Sequence, residues 1–199
     1  MSLVLARAGR LLAVGALSLF AGMVLTLPAV EAQAQERSGA PWLDLPVEGT
    51  LPPIAGAVDR LNSPPLSTEG LRGKVVLVDF WTFGCINCRN ALPYVREWHR
   101  KYKVQGLVVL SVHAPEFAYE KNIGNVKKAV ADLGVEFPVA VDNDFALWRA
   151  FHNTYWPALY FVDAQGRVRF HHFGEGEYGK SKQVIRQLLD EAARERKPA

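Results

Sequence analysis

The sequence predicts an α/β domain in which helices flank a central mixed sheet, and three patterns support this fold class. The first is the Val-Val-Leu-Val run at residues 75–78, which is typical of a strand buried on both faces. The second is a helix-spaced apolar pattern after it, and the third is a mostly apolar run over Leu107–His113. This strand–helix–strand order predicts a parallel pair.

The elements before this unit are predicted to be short. Residues 51–66 contain Pro52, Pro53, Pro64 and Pro65 around a small apolar patch. Proline removes a ladder hydrogen bond, so edge strands tolerate it and central strands do not. We therefore expect one or two short edge strands here, followed by a turn over residues 66–74.

The middle of the chain alternates between helix and strand. Apolar residues at positions 92, 95, 98 and 102 predict a helix over residues 88–103. A second helix is predicted over residues 119–133, ending at Gly134. A short strand over residues 137–142 and a short helix through residue 151 follow, and Asn143 and Asp144 are the candidate caps of that helix.

The last part of the chain predicts a hairpin and a helix. Strands over residues 156–163 and 168–173 are joined by a turn that contains Gly166, which makes the sheet mixed. A final amphipathic helix is predicted over residues 178–195, with an apolar face made of Val184, Ile185, Leu188 and Leu189.

The first 34 residues have the pattern of a secretory signal peptide. Arg7 and Arg10 precede an uncharged run over residues 11–30, and residues 32–34 (Ala-Gln-Ala) fit a small-x-small cleavage site. An uncleaved anchor is the alternative, since the run approaches the ~20 residues that span a bilayer. Both interpretations place the folded domain outside the cytoplasm, as in a periplasm. We therefore expect a signal peptide or anchor at 1–34, a linker at 35–50 and the domain at 51–199.

Two cysteines, Cys85 and Cys88, lie where the first buried strand ends and the helix begins, and the chain has no others. Unpaired N–H groups and the helix dipole favour a thiolate at a helix N-terminus, so the pKa of Cys85 is expected to fall below its usual ~8.5. Cys85 would act as the nucleophile, and Cys88 would attack the resulting mixed disulfide. The alternatives are an inert disulfide and half of a zinc site, which needs two more ligands.

The composition and net charge of the chain argue against nucleic-acid binding. The 199 residues are 49% hydrophobic and 22% charged, as in ordinary globular proteins. The formal net charge of +3 is small and evenly spread, which argues against nucleic-acid binding.

The stretch around the cysteines resembles the thioredoxin superfamily. Asp79, Phe80 and Trp81 precede Cys85 at the spacing of that family, and Pro93 falls where the family kinks its first helix. The resemblance implies a thioredoxin-like three-layer fold, with a central mixed β-sheet flanked by helices. It also implies structural roles at the site for Trp81 and Pro93.

Two further sets of residues narrow the resemblance. Trp42, Leu43 and residues 61–66 look like the N-terminal extension of exported TlpA/ResA-type redoxins, which also carry a helical insertion. The blocks WTFGCINC, LPYV, HAPEF, WRAF and FGEG, within residues 81–176, look like the redoxin part of DipZ-type proteins. Those proteins often carry a membrane electron-transfer domain, so a separate membrane thiol-electron donor is implied here. Ile86 and Asn87 replace the Gly-Pro of thioredoxin, which leaves the direction of electron flow open.

The resemblance also implies roles for residues around the pair. A cis-Pro157 would open the strand facing the cysteines and pair with a bound substrate strand, with Trp156 as an apolar docking surface. Asp79 would be buried, which raises the pKa of a carboxyl group, and in the family such an acid helps to move the proton of Cys88. Glu116 would supply the acid that ResA-type proteins carry in the loop after the second core strand.

Each of these roles has a structural alternative. Pro157 could be an ordinary trans-proline at a strand start, and Trp156 could serve packing alone. Asp79 could bond to solvent or to Lys74, and Glu116 could cap a helix. His113, at the end of the second core strand, is more typical of a satisfied core residue.

The sequence thus predicts an extracytoplasmic thiol–disulfide oxidoreductase that reduces protein disulfides, with the Cys85–Cys88 pair as its redox group and with no other cofactor or metal. A peroxiredoxin-type peroxidase using Cys85 is one alternative, because Thr82 has the threonine–cysteine spacing of such sites. The proline expected four residues before that threonine is replaced by Val78. A metal-delivery protein is the third possibility.

Overall fold

Residues 41–196 are described by the computed structural model, and the predicted signal peptide or anchor lies outside them. Within this range the strands are β1 Gly49–Thr50, β2 Asp59–Leu61, β3 Val75–Trp81, β4 Leu107–His113, β5 Val139–Val141, β6 Ala158–Val162 and β7 Arg167–Phe173. The α-helices are α1 Ile86–Tyr102, α2 Ile123–Asp132, α3 Ala146–Ala150 and α4 Tyr178–Glu195. In this part of the chain, no helix is both long enough and apolar enough to cross a membrane.

The strands form one mixed sheet in the order β1-β7-β6-β3-β4-β5-β2. β3 pairs in parallel with β4, and β4 with β5, whereas β6 pairs antiparallel with β3 and β7. The predicted parallel unit, the hairpin and the mixed sheet are therefore confirmed. The short strands β1 and β2 lie at the two edges, as expected for the proline-rich region around them.

Both faces of the sheet are buried, which gives the predicted three layers. Alternate residues of β3 point to opposite faces, so Leu77 and Trp81 join one core cluster while Val78 and Phe80 join the other. The first cluster includes buried residues of α1, α2 and α4. The second includes Leu147 of α3 and side chains from the segment before β3. The cysteine-bearing end of α1 belongs to the first face.

The helix predicted to start at Tyr119 is interrupted. A 3₁₀ turn over Ala118–Lys121 precedes α2, which begins only at Ile123. Asn122 has extended backbone angles, and its side-chain oxygen accepts a 3.1 Å hydrogen bond from the N–H of Asn125. This N-cap separates the two segments, because the capping residue cannot continue the preceding turn.

The caps predicted for the short helix α3 are wrong. Asp142, at the end of β5, caps it: Oδ1 accepts from the N–H of Leu147 at 3.0 Å and Oδ2 from that of Trp148 at 2.8 Å. Asn143 and Asp144 lie in the intervening turn instead. Asp142, Asn143 and Asp144 are consecutive in the sequence, and only the side chain of Asp142, which is buried, reaches the N-terminus of α3.

The described part of the predicted linker, residues 41–50, packs against the domain. Leu45 is buried in the core, and its carbonyl oxygen accepts two hydrogen bonds from Arg169. Leu43 and Gln187 exchange two further hydrogen bonds, of 2.7 and 3.0 Å. The segment then enters the sheet as β1. The polar, proline-containing sequence of this segment did not predict that it packs against the domain, because its backbone makes most of the contacts.

Candidate active site

The cysteine pair lies at the N-terminus of α1, directly after β3. Cys85 is the N-cap of α1, and its Sγ accepts a 3.1 Å hydrogen bond from the N–H of Cys88. The two cysteines are joined in a disulfide, with their Cα atoms 5.3 Å apart. Cys85 is partly exposed while Cys88 is buried, at 3% exposure. An incoming disulfide can therefore reach Cys85 and not Cys88, which agrees with the predicted division of roles.

Asp79 lies two residues before the end of β3 and is 3% exposed. Strand alternation puts its side chain on the same face as Trp81, which is the face that α1 covers. Its partner is Ser111 on β4, at 3.4 Å, rather than Lys74 or solvent. Burial raises the pKa of Asp79 to about 7, although the Ser111 hydrogen bond lowers it in part. The direction of this shift agrees with the prediction.

Trp156 and Pro157 precede β6, which lies beside β3. The bond between them is cis, as predicted. The Trp156 indole packs on Trp148 with ring centroids 4.2 Å apart, and its Nε1–H donates to the carbonyl oxygen of Ala114 at 3.0 Å. The N–H of Ala114 in turn donates to the carbonyl of Trp81 at 3.0 Å. The indole is thus attached to the strand ends from which the cysteine loop emerges.

Trp81 and Pro93 lie where the sequence placed them. Trp81 is 1% exposed and meets the ring of His113 edge-on, with centroids 5.5 Å apart. Pro93 lies on the exposed side of α1, which continues through it to Tyr102. Trp81 contributes to the core beside the cysteines, whereas a structural role for Pro93 at the site remains a prediction.

His113 is a buried residue of the core, and its Nε2 lies 3.2 Å from the Thr82 hydroxyl. Its ring also stacks on Phe83, with centroids 5.5 Å apart. Burial lowers the pKa of His113 to about 4, so the ring is neutral at neutral pH. His113 is thus a core residue as predicted, but only Nε2 has a hydrogen-bond partner within residues 41–196, because Nδ1 is buried without one.

The acid that contacts the cysteine loop is Glu120, and sequence reasoning missed it. Glu116 is exposed, whereas Glu120 is fully buried and its Oε1 accepts a 2.8 Å hydrogen bond from the N–H of Gly84. The available signal was the position of Glu120 three residues after Phe117, which is where an acid bonds back to a helix start. A proton-transfer role for Glu116 remains a prediction.

Several exposed apolar side chains lie in the segments next to the cysteines and next to Pro157. Ile86 follows Cys85 in the chain and is 63% exposed. Phe117 and Tyr119 are also half exposed and stack on each other, with centroids 5.8 Å apart. Near Pro157, Tyr155 and Phe173 form a second exposed pair. Across residues 41–196, no three His, Cys, Asp or Glu side chains cluster in a way that could hold a metal ion.

Comparison with known proteins identifies relatives of this arrangement. A model described as the AhpC/TSA family matches residues 53–171. Protein DipZ of Mycobacterium bovis is 49% identical over 147 residues, which make up 72% of this chain and 21% of that protein. Thiol-disulfide oxidoreductase YkuV of Bacillus subtilis is 35% identical over 129 residues, 65% of this chain and 85% of that protein.

A solved structure shows the same fold. The crystal structure of a thiol:disulfide interchange protein DsbE from Chlorobium tepidum has a TM-score of 0.64 and 25% identity, and the match covers 73% of this chain and 99% of that one. The predicted thioredoxin-like fold and the resemblance to DipZ-type redoxins are thereby confirmed. This chain spans only about a fifth of DipZ, at 21% of its length.

Proposed function

Because this chain belongs to the AhpC/TSA family of thioredoxin-like proteins, we propose that it is an extracytoplasmic thiol–disulfide oxidoreductase that reduces protein disulfides. The observation that carries the proposal is the unequal exposure of a cysteine pair at a helix N-terminus. Cys85 is reachable there, and Cys88 is buried beside it. YkuV, of which this chain covers 85%, is named for thiol–disulfide oxidoreduction.

The first step is attack by the reduced pair on a substrate disulfide. The Cys85 thiolate forms a bond to one substrate sulfur and breaks the substrate S–S bond, which releases the other sulfur as a thiolate. The N–H groups of the first turn of α1 and the helix dipole stabilise the attacking thiolate. No acidic residue in the first turn of α1 opposes them.

The second step closes the internal disulfide. The Cys88 thiol loses its proton and attacks Cys85 Sγ, which releases the second substrate thiolate and leaves the pair oxidised by two electrons. Asp79 lies on the sheet face under α1 and has a pKa of about 7, which suits a group that accepts this proton, directly or through one water. The electrons and atoms balance without a bound cofactor or metal.

The substrate lies against the exposed apolar surface beside Cys85. Trp156 is partly exposed and provides one wall, and the indole is fixed there by its hydrogen bond to the Ala114 carbonyl. Pro157 beside it is buried, so its backbone is the part that would pair with a substrate strand. An extended segment of a protein that carries a disulfide fits such a surface, since its backbone and apolar side chains can both be accommodated.

Re-reduction requires a donor outside the cytoplasm. The signal-like pattern of residues 1–34 supports export, and an oxidising compartment does not keep a thiol pair reduced. We propose that a membrane thiol-electron donor does so, as the resemblance to the redoxin part of DipZ suggests.

Trapping of covalent partners tests the proposal. In a Cys88→Ser variant the mixed disulfide at Cys85 cannot be resolved, so extracytoplasmic proteins should accumulate as adducts that reductant releases. Cys85→Ser and the double variant are the matched controls and should trap none. If Cys88→Ser traps nothing while Cys85 titrates like a free thiol, the proposal fails.

The peroxidase alternative gains no support from the site. Thr82 is fully buried, and its hydroxyl lies 3.2 Å from His113 Nε2. This hydroxyl, which would have to bind a peroxide, is therefore closed to solvent and already in contact with His113. A peroxide-consumption assay with Cys85→Ser as control separates peroxidase activity from thiol–disulfide exchange. The third possibility, metal delivery, is tested by a copper titration with and without the cysteines.

A further inference from the structure

Glu120 joins two loops beside the cysteine pair through backbone hydrogen bonds. Its Oε1 accepts from the N–H of Gly84 at 2.8 Å. Its Oε2 accepts from the N–H of Glu116 at 2.6 Å and from that of Phe117 at 2.8 Å. The side chain is completely buried. Gly84 immediately precedes Cys85, so the carboxylate is bonded to the backbone that carries the nucleophile.

The two loops approach too closely for any larger residue at Gly84. A Cβ atom there would lie 2.4 Å from Glu120 Oε1 and 2.5 Å from the Tyr119 hydroxyl. Contacts of this length do not occur, so a side chain would force the carboxylate away from the Gly84 N–H. The glycine and the glutamate therefore act as a pair, in which the first provides the space that the second fills.

Only a carboxylate satisfies these donors. An ionised carboxyl group accepts at both oxygens, whereas an amide has one acceptor and one donor. Glutamine at position 120 would turn an NH₂ group toward either Gly84 or the Glu116–Phe117 pair, leaving a buried N–H unpaired. Aspartate is one methylene shorter and would not span the two loops.

The negative charge of Glu120 acts on its surroundings. Its attraction partly offsets the burial that lowers the pKa of His113. The same charge lies beside the N-terminus of α1, where the helix dipole favours a thiolate on Cys85. Other titratable or charged groups on the elements around this loop are Asp79, Arg89, His113, Glu116, Tyr119 and Lys121.

We propose that Glu120 is a positioning residue that fixes Gly84 and Cys85 against the second loop and, through its charge, makes the Cys85–Cys88 pair more reducing. The charge disfavours the thiolate of Cys85, and a less stable reduced form gives electrons away more readily. This inference rests on the proposed thiol chemistry. It names a residue that influences the direction of electron flow, which Ile86 and Asn87 leave open.

Three variants test it in the Cys88→Ser background, where Cys85 is the only thiol. Glu120→Gln removes the charge and one acceptor. Gly84→Ala keeps the charge but displaces it. Glu97→Gln removes an exposed acid of α1 and is the matched control. The pKa of Cys85, measured from thiolate absorbance and alkylation rate, should fall by about half a unit or more in the first two variants and stay unchanged in the third.

The same substitutions in the two-cysteine protein give the second readout. The equilibrium with glutathione should shift at least about threefold toward the reduced pair in Glu120→Gln and Gly84→Ala. A merely structural role would change unfolding by urea and leave both the pKa and this equilibrium in place, which would overturn the inference. If Glu120→Gln does not fold, Gly84→Ala decides the outcome.

The result also separates this inference from the proposed function. A wild-type Cys85 that titrates and reacts like an ordinary free thiol contradicts the proposed function itself. An activated Cys85 in the wild-type protein, with unchanged values in both test variants, contradicts only the role of Glu120.

Discussion

The Asp79 carboxylate faces Ser111 across β3 and β4, and the Ser111 hydroxyl donates a 3.4 Å hydrogen bond to Asp79 Oδ2. Desolvation outweighs this single contact and raises the pKa of Asp79 to about 7. A carboxyl group with such a pKa exchanges protons near neutrality, unlike one in water. Asp79 should therefore affect both the rate at which Cys88 attacks a mixed disulfide and the free energy of unfolding.

Asp79→Asn should slow the attack of Cys88 on a mixed disulfide, by roughly 10²-fold if Asp79 is the general base. The rate of thiol release from a preformed adduct of Cys85, followed after rapid mixing, measures this step. In the wild-type protein the rate should follow an apparent pKa near 7, and Asp79→Asn should lose that dependence. Ser111→Ala is the matched control, because it removes the bond that lowers the pKa and should shift the profile upward. An unchanged rate in Asp79→Asn would exclude the role.

Asp79→Asn should also stabilise the oxidised protein at alkaline pH. The folded-state pKa, about 7, is raised above the ordinary value of 3.8, so the folded protein retains a proton that the unfolded chain releases. This contribution to stability is full below the unfolded pKa and is lost as pH rises through the folded one. The loss amounts to as much as about 4 kcal/mol above neutrality. Urea unfolding at about pH 5 and about pH 8 measures it, and a variant without any gain at the higher pH contradicts the burial argument.

His113 should produce the opposite pH dependence. Its pKa is lowered to about 4 in the folded protein from 6.5, so the unfolded chain binds the extra proton between these values. The stability that this group contributes is present above the unfolded pKa and falls by as much as about 3 kcal/mol as pH drops toward the folded one. His113→Gln should therefore lose less stability on acidification than the wild-type protein.

Between about pH 4 and pH 6.5, the pH dependence of stability caused by Asp79 is opposite in sign to that caused by His113. Asp79→Asn should consequently unmask the acid sensitivity that His113 causes, while the wild-type curve stays flatter. Unfolding curves of both single variants over this range provide the comparison. Parallel curves for wild type and Asp79→Asn would show that the two groups do not titrate as described.

Trp156→Ala should weaken the binding of protein and peptide disulfides. Loss of an aromatic surface worth about 1 kcal/mol would raise KM about fivefold. A small disulfide reagent does not need the surface, so its reaction with Cys85 should be nearly unaffected and serves as the control. Trp156→Phe keeps a ring but lacks the Nε1–H bond to Ala114, and should fall between the two. Equal effects on large and small substrates would indicate that Trp156 only supports packing.

The sequence predicted the parts of the fold that depend on local patterns. The apolar run of β3, the helix spacing of α1 and the turn at Gly166 each contain their own signal, and the structure has each element at the expected place. The cysteine pair could be placed for the same reason, because a strand, a loop and a helix start coincide in one short stretch.

Features that depend on long-range contacts were not predictable in this way. Three backbone N–H groups from two loops converge on Glu120, and its spacing to Phe117 indicates only the bond within its own turn, not the bond to Gly84. Leu45 and Leu43 reach the domain through partners more than 120 positions away. Asp142 became the cap of α3 because it is buried at the end of β5, whereas its neighbours are equally suited by residue type.

The reduction potential of the Cys85–Cys88 pair tests the proposed reductant role most directly. Equilibration with glutathione or dithiothreitol buffers, followed by alkylation of free thiols, gives this value. The double variant Cys85→Ser, Cys88→Ser serves as the blank. A reductant of protein disulfides should have a potential near that of thioredoxin, ~−270 mV. A potential near ~−120 mV, as in a strong oxidant, would contradict the proposed direction of electron flow.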